Sequence, residues 1–239
     1  MDSFWTEMHR RTAWSIITSS RFRLKINIET CVSTAFIMIH KYYIRHNSNS
    51  PPLFIVIVSA LFSACKMLEN VRSMQNIYSE VLFTCREGIN RFGLQKFESA
   101  LGRSNFDDCK IPSEDVKSIN ICEIDILESL DYKMSVELPF DHIETSVKPL
   151  INEGNKQLIN KITKYICMLL CSSKATDTPP CVIAAVSTQE AFSSDKMPDS
   201  ISLWISNIIK SQGEQNVLDA HNLLKRQISL METPQKENK

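Results

Sequence analysis

The sequence predicts an all-α fold, and three observations support that prediction. Only 5 of the 239 residues are glycine, which is about 2% where ~7% is usual. Apolar residues recur at steps of three and four along most of the chain, whereas the alternating runs that indicate strands are few. The third observation is a segment, 51–70, that carries no charge between Leu53 and Cys65. A helix that is apolar on every side is typical of the middle of a helical domain.

This central segment is predicted to be a core helix and not a membrane span. Pro51 and Pro52 favour a helix start just after them, because proline fixes a backbone angle that suits a first helical turn. A membrane-spanning helix needs about 18 to 20 apolar residues, and this apolar run ends at Lys66. Lys66 and Glu69 are three residues apart, so both are expected on one side of the last turn. This end of the helix is the first candidate for a functional surface.

Four further helices are predicted in the first half of the chain. A helix over 4–19 has Ser3 as its expected N-cap, and an amphipathic helix over 28–46 ends at an Asn-Ser-Asn-Ser-Pro-Pro turn. The last two helices cover 73–91 and 113–131. The polar stretch between these two helices, 92 to 112, is predicted to be a surface loop.

The second half of the chain is predicted to repeat the first. Pro179-Pro180 begins a nine-residue stretch that matches the stretch from Pro51 at five positions, 128 residues apart, which indicates an internal duplication. We therefore predict two tandem five-helix domains over 1–137 and 138–232, followed by a disordered tail over 233–239. Ser194 falls where the first half has Lys66, so the role of Lys66 is expected to belong to the first domain. The second-half helices are predicted over 140–151, 156–172, 181–192, 201–210 and 214–231.

Charge and cysteine content narrow the classes of function. Lys plus Arg and Asp plus Glu both number 27, so no net field recruits nucleic acid or an anionic membrane, and neither is an expected partner. Eight cysteines without a signal peptide predict reduced thiols in the cytosol or nucleus. Five of them lie among apolar helical residues and are expected to fill the core, namely Cys31, Cys65, Cys122, Cys167 and Cys171.

No familiar chemical motif stands out. The sequence has no Cys-x-x-Cys pair, no histidine at ligand spacing from a cysteine and no glycine-rich phosphate loop, so we predict no metal and no cofactor. A catalytic Cys–His pair stays open from the residues alone, although nothing singles one out. These features predict a helical protein without a recognisable active site.

Three phrases resemble the cyclin box: HKYYIRH at the end of the second helix, LFSACKMLEN at the end of the third, and CEIDILESLDYKMSVELPF in the fifth. The resemblance covers roughly 14–192 and implies the two-box cyclin fold. In cyclins, a lysine at the end of the third helix and a glutamate in the fifth contact the kinase beside its mobile regulatory helix. The resemblance places these roles on Lys66 and Glu123. It places the apolar and aromatic positions that pack on that kinase helix at Leu127, Tyr132 and Met134, and Glu69 is a further candidate contact.

The run His40-Lys41-Tyr42-Tyr43 resembles transcriptional cyclins more than cell-cycle cyclins. Cell-cycle cyclins dock substrates on an apolar patch of the first helix, whereas the corresponding positions here are Arg10 and Arg11. The opening MDSFW, the phrase CEIDILESLDYKMSVELPF and Pro179-Pro180 ahead of a helix of the second half most resemble cyclin C, with cyclin H next. The resemblance implies a nuclear regulatory subunit that activates a Ser/Thr cyclin-dependent kinase in RNA polymerase II transcription, as in the Mediator kinase module.

Other interpretations follow from the same residues. One is a cyclin H-like subunit of a kinase that activates other cyclin-dependent kinases. Another is a general transcription factor of the IIB type, which predicts a strongly basic second half and a zinc ribbon that this sequence does not show. A third is a helical scaffold without a kinase, in which Lys66 is favoured by the helix dipole alone and Glu123 is an ordinary solvated residue. Tyr42, Tyr43 and Phe62 are expected to be packing residues.

Overall fold

The fold is entirely helical in the part of the chain that the structure describes. This computed structural model describes residues 5–46, 50–92, 101–102, 110–151, 155–193 and 195–232, with backbone alone at 89–92 and 230–232. Its contacts divide the chain between Val136 and Glu137 into two compact units. No helix within these ranges combines the length and hydropathy that crossing a membrane requires.

Five α-helices lie within the described residues of the first unit. A single π-helical turn, Ile28–Val32, leads directly into the second of them. The α-helices are α1 (Glu7–Leu24), α2 (Ser33–Arg45), α3 (Leu53–Met67), α4 (Met74–Phe92) and α5 (Ser113–Ser129).

Helix α3 lies at the centre of the first unit, as its apolar sequence predicts. The other four helices all pack against it, and every residue from Leu53 to Leu61 is buried. Its one polar residue in that run, Ser59, is satisfied because its hydroxyl lies 2.8 Å from the carbonyl oxygen of Ile55. An uncharged helix surrounded on all sides is stabilised mainly by the apolar surface that it removes from water. The prediction of a buried central helix is confirmed.

The prediction for α1 was wrong at both ends. The helix begins at Glu7, where Thr6 accepts a hydrogen bond from the His9 backbone N–H at 3.4 Å. Ser3, the predicted N-cap, lies outside the described residues. It continues past the predicted stop at Ser19 and ends at Leu24. Ser20 is buried in this extension, and its hydroxyl donates to the Thr84 hydroxyl of α4 at 3.0 Å. A serine that finds such a partner can lie inside a helix, which local sequence does not reveal.

Helix α2 is less amphipathic than predicted. All eight residues from Ser33 to His40 are buried, so the helix is covered on nearly every side. Trp5 supplies part of this cover: its ring stacks on Tyr43 at 4.5 Å, and its Nε1 donates to Nδ1 of His40 at 3.0 Å. The segment ahead of α1 therefore packs against α2.

Most of the predicted surface loop over 92–112 lies outside the described residues. Leu101, which is described, is fully buried and corrects that prediction at its own position. Gly102 follows with φ +65, and a Cβ there would approach the Cβ of Pro52 to 3.3 Å. The positive φ and the close approach both favour glycine. The predicted tail over 233–239 also lies outside the described residues.

The described residues of the second unit form five α-helices, one of which is central to the unit. The first predicted segment, 140–151, is interrupted after Ser146, and a 3₁₀ turn over Lys148–Leu150 replaces its end. Pro149 explains the change, because proline lacks the N–H that a continuing α-helix needs. Helix α8 packs against the other four. The helices are α6 (Pro139–Ser146), α7 (Lys156–Leu170), α8 (Pro180–Ala191), α9 (Asp199–Gln212) and α10 (Glu214–Glu232).

Candidate functional site

The end of α3 brings Lys66 to the surface of the first unit. The helix ends at Met67, and the chain then turns through Glu69, whose φ is +54. The backbone N–H of Asn70 donates to the Cys65 carbonyl at 2.9 Å, and that of Glu69 donates to the Lys66 carbonyl at 3.2 Å. This left-handed turn satisfies carbonyls that the helix end leaves open. Lys66 lies in the last turn, where the helix dipole favours a cation.

Lys66 and Glu123 form an ion pair between α3 and α5. The Lys66 Nζ lies 2.5 Å from Oε1 of Glu123, and the same Nζ lies 4.7 Å from the centre of the Phe62 ring. The Lys66 side chain is 47% exposed and that of Glu123 is 13% exposed. The sequence interpretation treated both charges as available to a partner. The structure brings them together, so each is neutralised within the chain before any partner arrives.

The structure corrects the placement of Glu69. This residue was expected on the same side of the last helical turn as Lys66, but α3 has already ended at Met67. The left-handed backbone at Glu69 turns the chain away from the helix axis, so helical spacing does not apply to it. Glu69 is exposed.

Beyond Glu123, α5 carries an apolar surface that continues past the helix end. Leu127 is half-buried, one helical turn after Glu123. Tyr132 and Met134 follow the helix and are 62% and 64% exposed. The Tyr132 backbone N–H donates to the Leu127 carbonyl at 2.9 Å, which holds the exposed turn against the helix. The structure thus places Leu127, Tyr132 and Met134 at one end of α5.

Two residues of this surface were missed from the sequence. Ile121 and Ile124 are 61% and 58% exposed, and the steps of three from 121 to 124 and from 124 to 127 make each residue a neighbour of the next on the surface of α5. A signal for them was present, because both are apolar yet lie outside the stripe of buried residues that includes Ile119, Cys122 and Ile126. We call this surface, of which Leu127 is the half-buried member, the α5 band: Ile121, Ile124, Leu127, Tyr132 and Met134.

The aromatic residues near α2 and α3 are packing residues, as expected. Tyr42 and Tyr43 are buried, and burial raises the pKa of the Tyr42 hydroxyl to about 12. Phe62 is half-buried beneath Lys66.

The two arginines of α1 have separate surroundings. Arg10 is buried and donates from Nη1 to the Trp5 carbonyl at 2.6 Å. Arg11 is exposed and pairs with Glu7 at 2.6 Å. Neither position offers an apolar surface.

The cysteines behave in part as predicted. Cys31, Cys65 and Cys122 are buried, whereas Cys167 and Cys171 are only half-buried. Burial raises the pKa of the Cys122 thiol to about 12, so this thiol stays protonated at neutral pH. Within the described ranges, no group of three His, Cys, Asp or Glu side chains is placed to hold a metal ion.

Comparison with known proteins also indicates a similarity to cyclins. No protein-family model matches the chain. The chain is 22% identical over 210 residues to cyclin pch1 of Schizosaccharomyces pombe, an alignment that covers 83% of this chain. The relative is a cyclin. The alignment spans 56% of the length of that cyclin, so the chain corresponds to just over half of it.

This similarity supports a relationship to the cyclin family, and the all-helical structure is consistent with the cyclin fold. The residues that the three cyclin-box phrases single out are the ion pair at the end of α3 and part of the neighbouring α5 band. Both belong to the first unit. The geometry suits the binding of a protein surface: apolar side chains are exposed in a row, and a lysine and a glutamate lie beside them.

Proposed function

We propose that this chain is a transcription-type cyclin, a regulatory subunit that binds and activates a Ser/Thr cyclin-dependent kinase. The observation that carries the proposal is the Lys66–Glu123 ion pair, which lies beside an exposed apolar band in a chain that is similar to a cyclin. The proposed contact residues are the five members of the α5 band together with Lys66, Glu69 and Glu123.

The proposed mechanism is a shift of the kinase population. A kinase is active when its regulatory helix is turned inward and its catalytic Lys–Glu pair is assembled. A partner that binds only that conformation increases its population, and a preference of ~10⁴-fold moves a 1:99 mixture to 99:1. In this proposal the α5 band buries the apolar face of the kinase helix. This chain supplies no catalytic group of its own.

The ion pair would orient the docked helix. An ammonium group has three N–H donors, and one of them points to Glu123, so further donors of the half-exposed Lys66 can reach carbonyl or carboxylate oxygens of a partner. Charges at the edge of an apolar contact add more to orientation and specificity than to affinity. The pair therefore sets which end of the kinase helix lies at α3.

The finer assignment is also part of the proposal. The His40-Lys41-Tyr42-Tyr43 run and the arginines at positions 10 and 11 favour a transcriptional cyclin of the cyclin C type, acting in the nucleus within the Mediator kinase module. A cyclin H-like role in a kinase-activating complex is the alternative. The division near Val136 and the Pro-Pro starts of α3 and α8 support two tandem cyclin boxes.

The first experiment identifies the partner. The tagged full chain is purified from native nuclear extract, and the bound proteins are identified by mass spectrometry. We expect a Ser/Thr cyclin-dependent kinase at near-stoichiometric amount and kinase activity that depends on this chain. Recovery of a TATA-binding protein complex without a kinase would instead favour the IIB-type alternative.

The second experiment uses the ion pair itself. Lys66→Glu alone, or Glu123→Lys alone, places two like charges together and is expected to weaken both folding and kinase binding. The double swap, Lys66→Glu with Glu123→Lys, restores an ion pair within the chain but reverses the charges that a partner meets. Its free energy of unfolding should therefore return to within about 0.5 kcal/mol of the parent value.

Kinase affinity should remain low in the double swap. Mispaired charges at a desolvated interface cost ~2 to 5 kcal/mol, which is roughly 30- to 3000-fold in affinity. The matched control is the same swap at Lys174 and Asp177, an exposed ion pair of the second unit, which should leave affinity unchanged. Parent-level affinity in the Lys66/Glu123 double swap would show that the pair is only structural.

A further inference from the structure

The turn that follows α5 contains two consecutive non-glycine residues with left-handed backbone. Asp131 has φ +52 and Tyr132 has φ +54. Asparagine and aspartate adopt this region more readily than other non-glycine residues, and a bulky residue such as tyrosine seldom does. The surrounding structure must therefore hold the turn in place. This turn is where the α5 band leaves the helix and becomes most exposed.

Arg45, the last residue of α2, reaches across to this turn. Its Nη1 donates to the carbonyl of Glu128, and its Nη2 donates to the carboxylate of Asp131. The hydrogen bond and the charge of Arg45 hold the pKa of the Asp131 carboxyl below its usual range. A planar guanidinium that contacts both a helix carbonyl and the first left-handed residue fixes the angle between the helix and the turn.

The same arrangement occurs at the end of α1. Lys25 there has φ +53, and Arg72 donates from Nε to the Leu24 carbonyl at 2.9 Å and from Nη2 to the Lys25 carbonyl at 3.4 Å. In both places an arginine distant in sequence holds a left-handed helix end that lacks glycine. Of the three left-handed helix ends without glycine in the described part of the first unit, at Lys25, Glu69 and Asp131, two are contacted in this way.

We propose that Arg45 is a positioning residue for partner binding: it holds the turn after α5 so that Tyr132 and Met134 project beside Leu127. The proposal rests on the proposed kinase-binding function and assigns no contact between Arg45 and the kinase. Arg45 preorganises the end of the α5 band, so that the partner does not have to order it on binding.

The test combines Arg45→Gln with Asp131→Gly. Arg45→Gln should weaken affinity for the captured kinase by about tenfold, which corresponds to ~1.4 kcal/mol, because the turn then samples other conformations. Glycine adopts a positive φ without steric cost, so Asp131→Gly alone should stay within about threefold of the parent. The double variant should likewise recover to within about threefold, although it lacks the whole Arg45–Asp131 ion pair.

Hydrogen exchange of the free chain gives a second readout that needs no kinase. The Tyr132 and Lys133 amides, which donate to the Leu127 and Leu130 carbonyls, should exchange about tenfold faster in Arg45→Gln. They should return toward the parent rate in the double variant. Arg11→Gln is the control, because it removes another exposed arginine–carboxylate pair and should change neither readout.

The outcomes separate the two proposals. If the parent chain captures no kinase, the proposed function fails and the binding role of Arg45 fails with it, while exchange still shows whether Arg45 holds the turn. If the parent binds a kinase but Arg45→Gln changes neither exchange nor affinity, the positioning role is wrong. If affinity falls and Asp131→Gly does not rescue it, Arg45 acts through its charge or by contact, which also overturns the positioning role.

Discussion

Helices α3 and α8, the central helices of the two units, begin in the same way and end differently. Each starts after a proline with extended backbone: Pro52 has φ −47 and ψ 141, and Pro179 has φ −54 and ψ 138. The N–H groups of Ile55 and Val182 donate to the carbonyls of these prolines, both at 2.9 Å. These bonds set the helix starts 127 residues apart, one fewer than the sequence match indicates.

The ends of the two helices have separate roles. Helix α3 runs for 15 residues and brings Lys66 to the ion pair with Glu123. Helix α8 runs for 12 residues and ends at Ala191, whose carbonyl accepts a hydrogen bond from Lys161 Nζ at 2.9 Å. Ser194, the predicted counterpart of Lys66, lies outside the described residues. The comparison shows that a shared start specifies a core helix, whereas the residues at its end determine what the helix offers at the surface.

The largest expected effect tests whether both helices are equally central. Ile57 and Ile183 are both buried, and truncating either to alanine should lower the free energy of unfolding by ~2 to 5 kcal/mol. Leu218→Ala, at an exposed position, is the control and should change it by less than about 0.5 kcal/mol. Urea denaturation measures all three. A cost under about 1 kcal/mol for Ile183→Ala would break the parallel between the two helices.

A second difference between the two units is the effect of a buried cysteine thiol on stability at high pH. Desolvation raises the pKa of Cys122 in α5 to about 12, and burial raises the pKa of the half-buried Cys181 in α8. In the unfolded chain a thiol ionises near pH ~8.5. Below that pH the buried neutral thiol makes its full contribution to the free energy of unfolding. This contribution is lost as the pH rises toward the pKa of the thiol in the folded protein.

Between pH 7 and pH 10, the free energy of unfolding of the parent should therefore fall by roughly 2 kcal/mol more than that of Cys122→Ala. Cys181→Ala should reduce the alkaline loss by less, because its thiol is only half-buried. Denaturation curves at the two pH values provide the measurement. Equal alkaline losses for the parent and Cys122→Ala would contradict the burial assigned to this thiol.

Replacing a buried serine by alanine should affect stability differently in the two central helices. The Ser59 hydroxyl lies 2.8 Å from the Ile55 carbonyl oxygen and 3.2 Å from that of Ile119. The Ser187 hydroxyl is buried, and the described residues give it no hydrogen-bond partner. Ser59→Ala should cost about 1 kcal/mol, whereas Ser187→Ala should be neutral or stabilising, because it removes an unsatisfied buried group. Equal losses in thermal unfolding would show that Ser187 has a partner.

The smallest expected effect on stability is that of Lys66→Met, and comparing it with Lys161→Met distinguishes a loss of stability from a loss of binding. Lys66→Met should change the free energy of unfolding by less than about 1 kcal/mol, because the ion pair is half-exposed on the lysine side. Lys161→Met, which removes the hydrogen bond to the end of α8, should cost about 0.5 to 1.5 kcal/mol. In kinase capture the order should reverse, with a defect for Lys66→Met alone. A binding defect of equal size in both variants would assign the loss to general destabilisation.

The sequence by itself determined the burial of α3 and where the described helices lie, although not both ends of α1 or the interruption after α6. These features depend on local signals: apolar residues at steps of three and four, a charge-free run, and prolines that allow a helix to start but not to continue. The end of α3 at Lys66 was a candidate from the apolar run alone, whereas Glu123 became one only through the resemblance to the cyclin box, because a glutamate on a helix is otherwise unremarkable. Their role in binding stays a prediction.

Only the tertiary structure decided which of these residues meet. Lys66 and Glu123 are 57 positions apart, and Arg45 and Asp131 are 86 apart; no local periodicity brings such residues together. The hydrogen bond between the hydroxyls of Ser20 and Thr84 likewise joins residues distant in sequence, and it lies in the part of α1 beyond the predicted end at Ser19. Hydrogen bonds and ion pairs act over a few ångströms, so residues distant in sequence can form them only after the helices have packed.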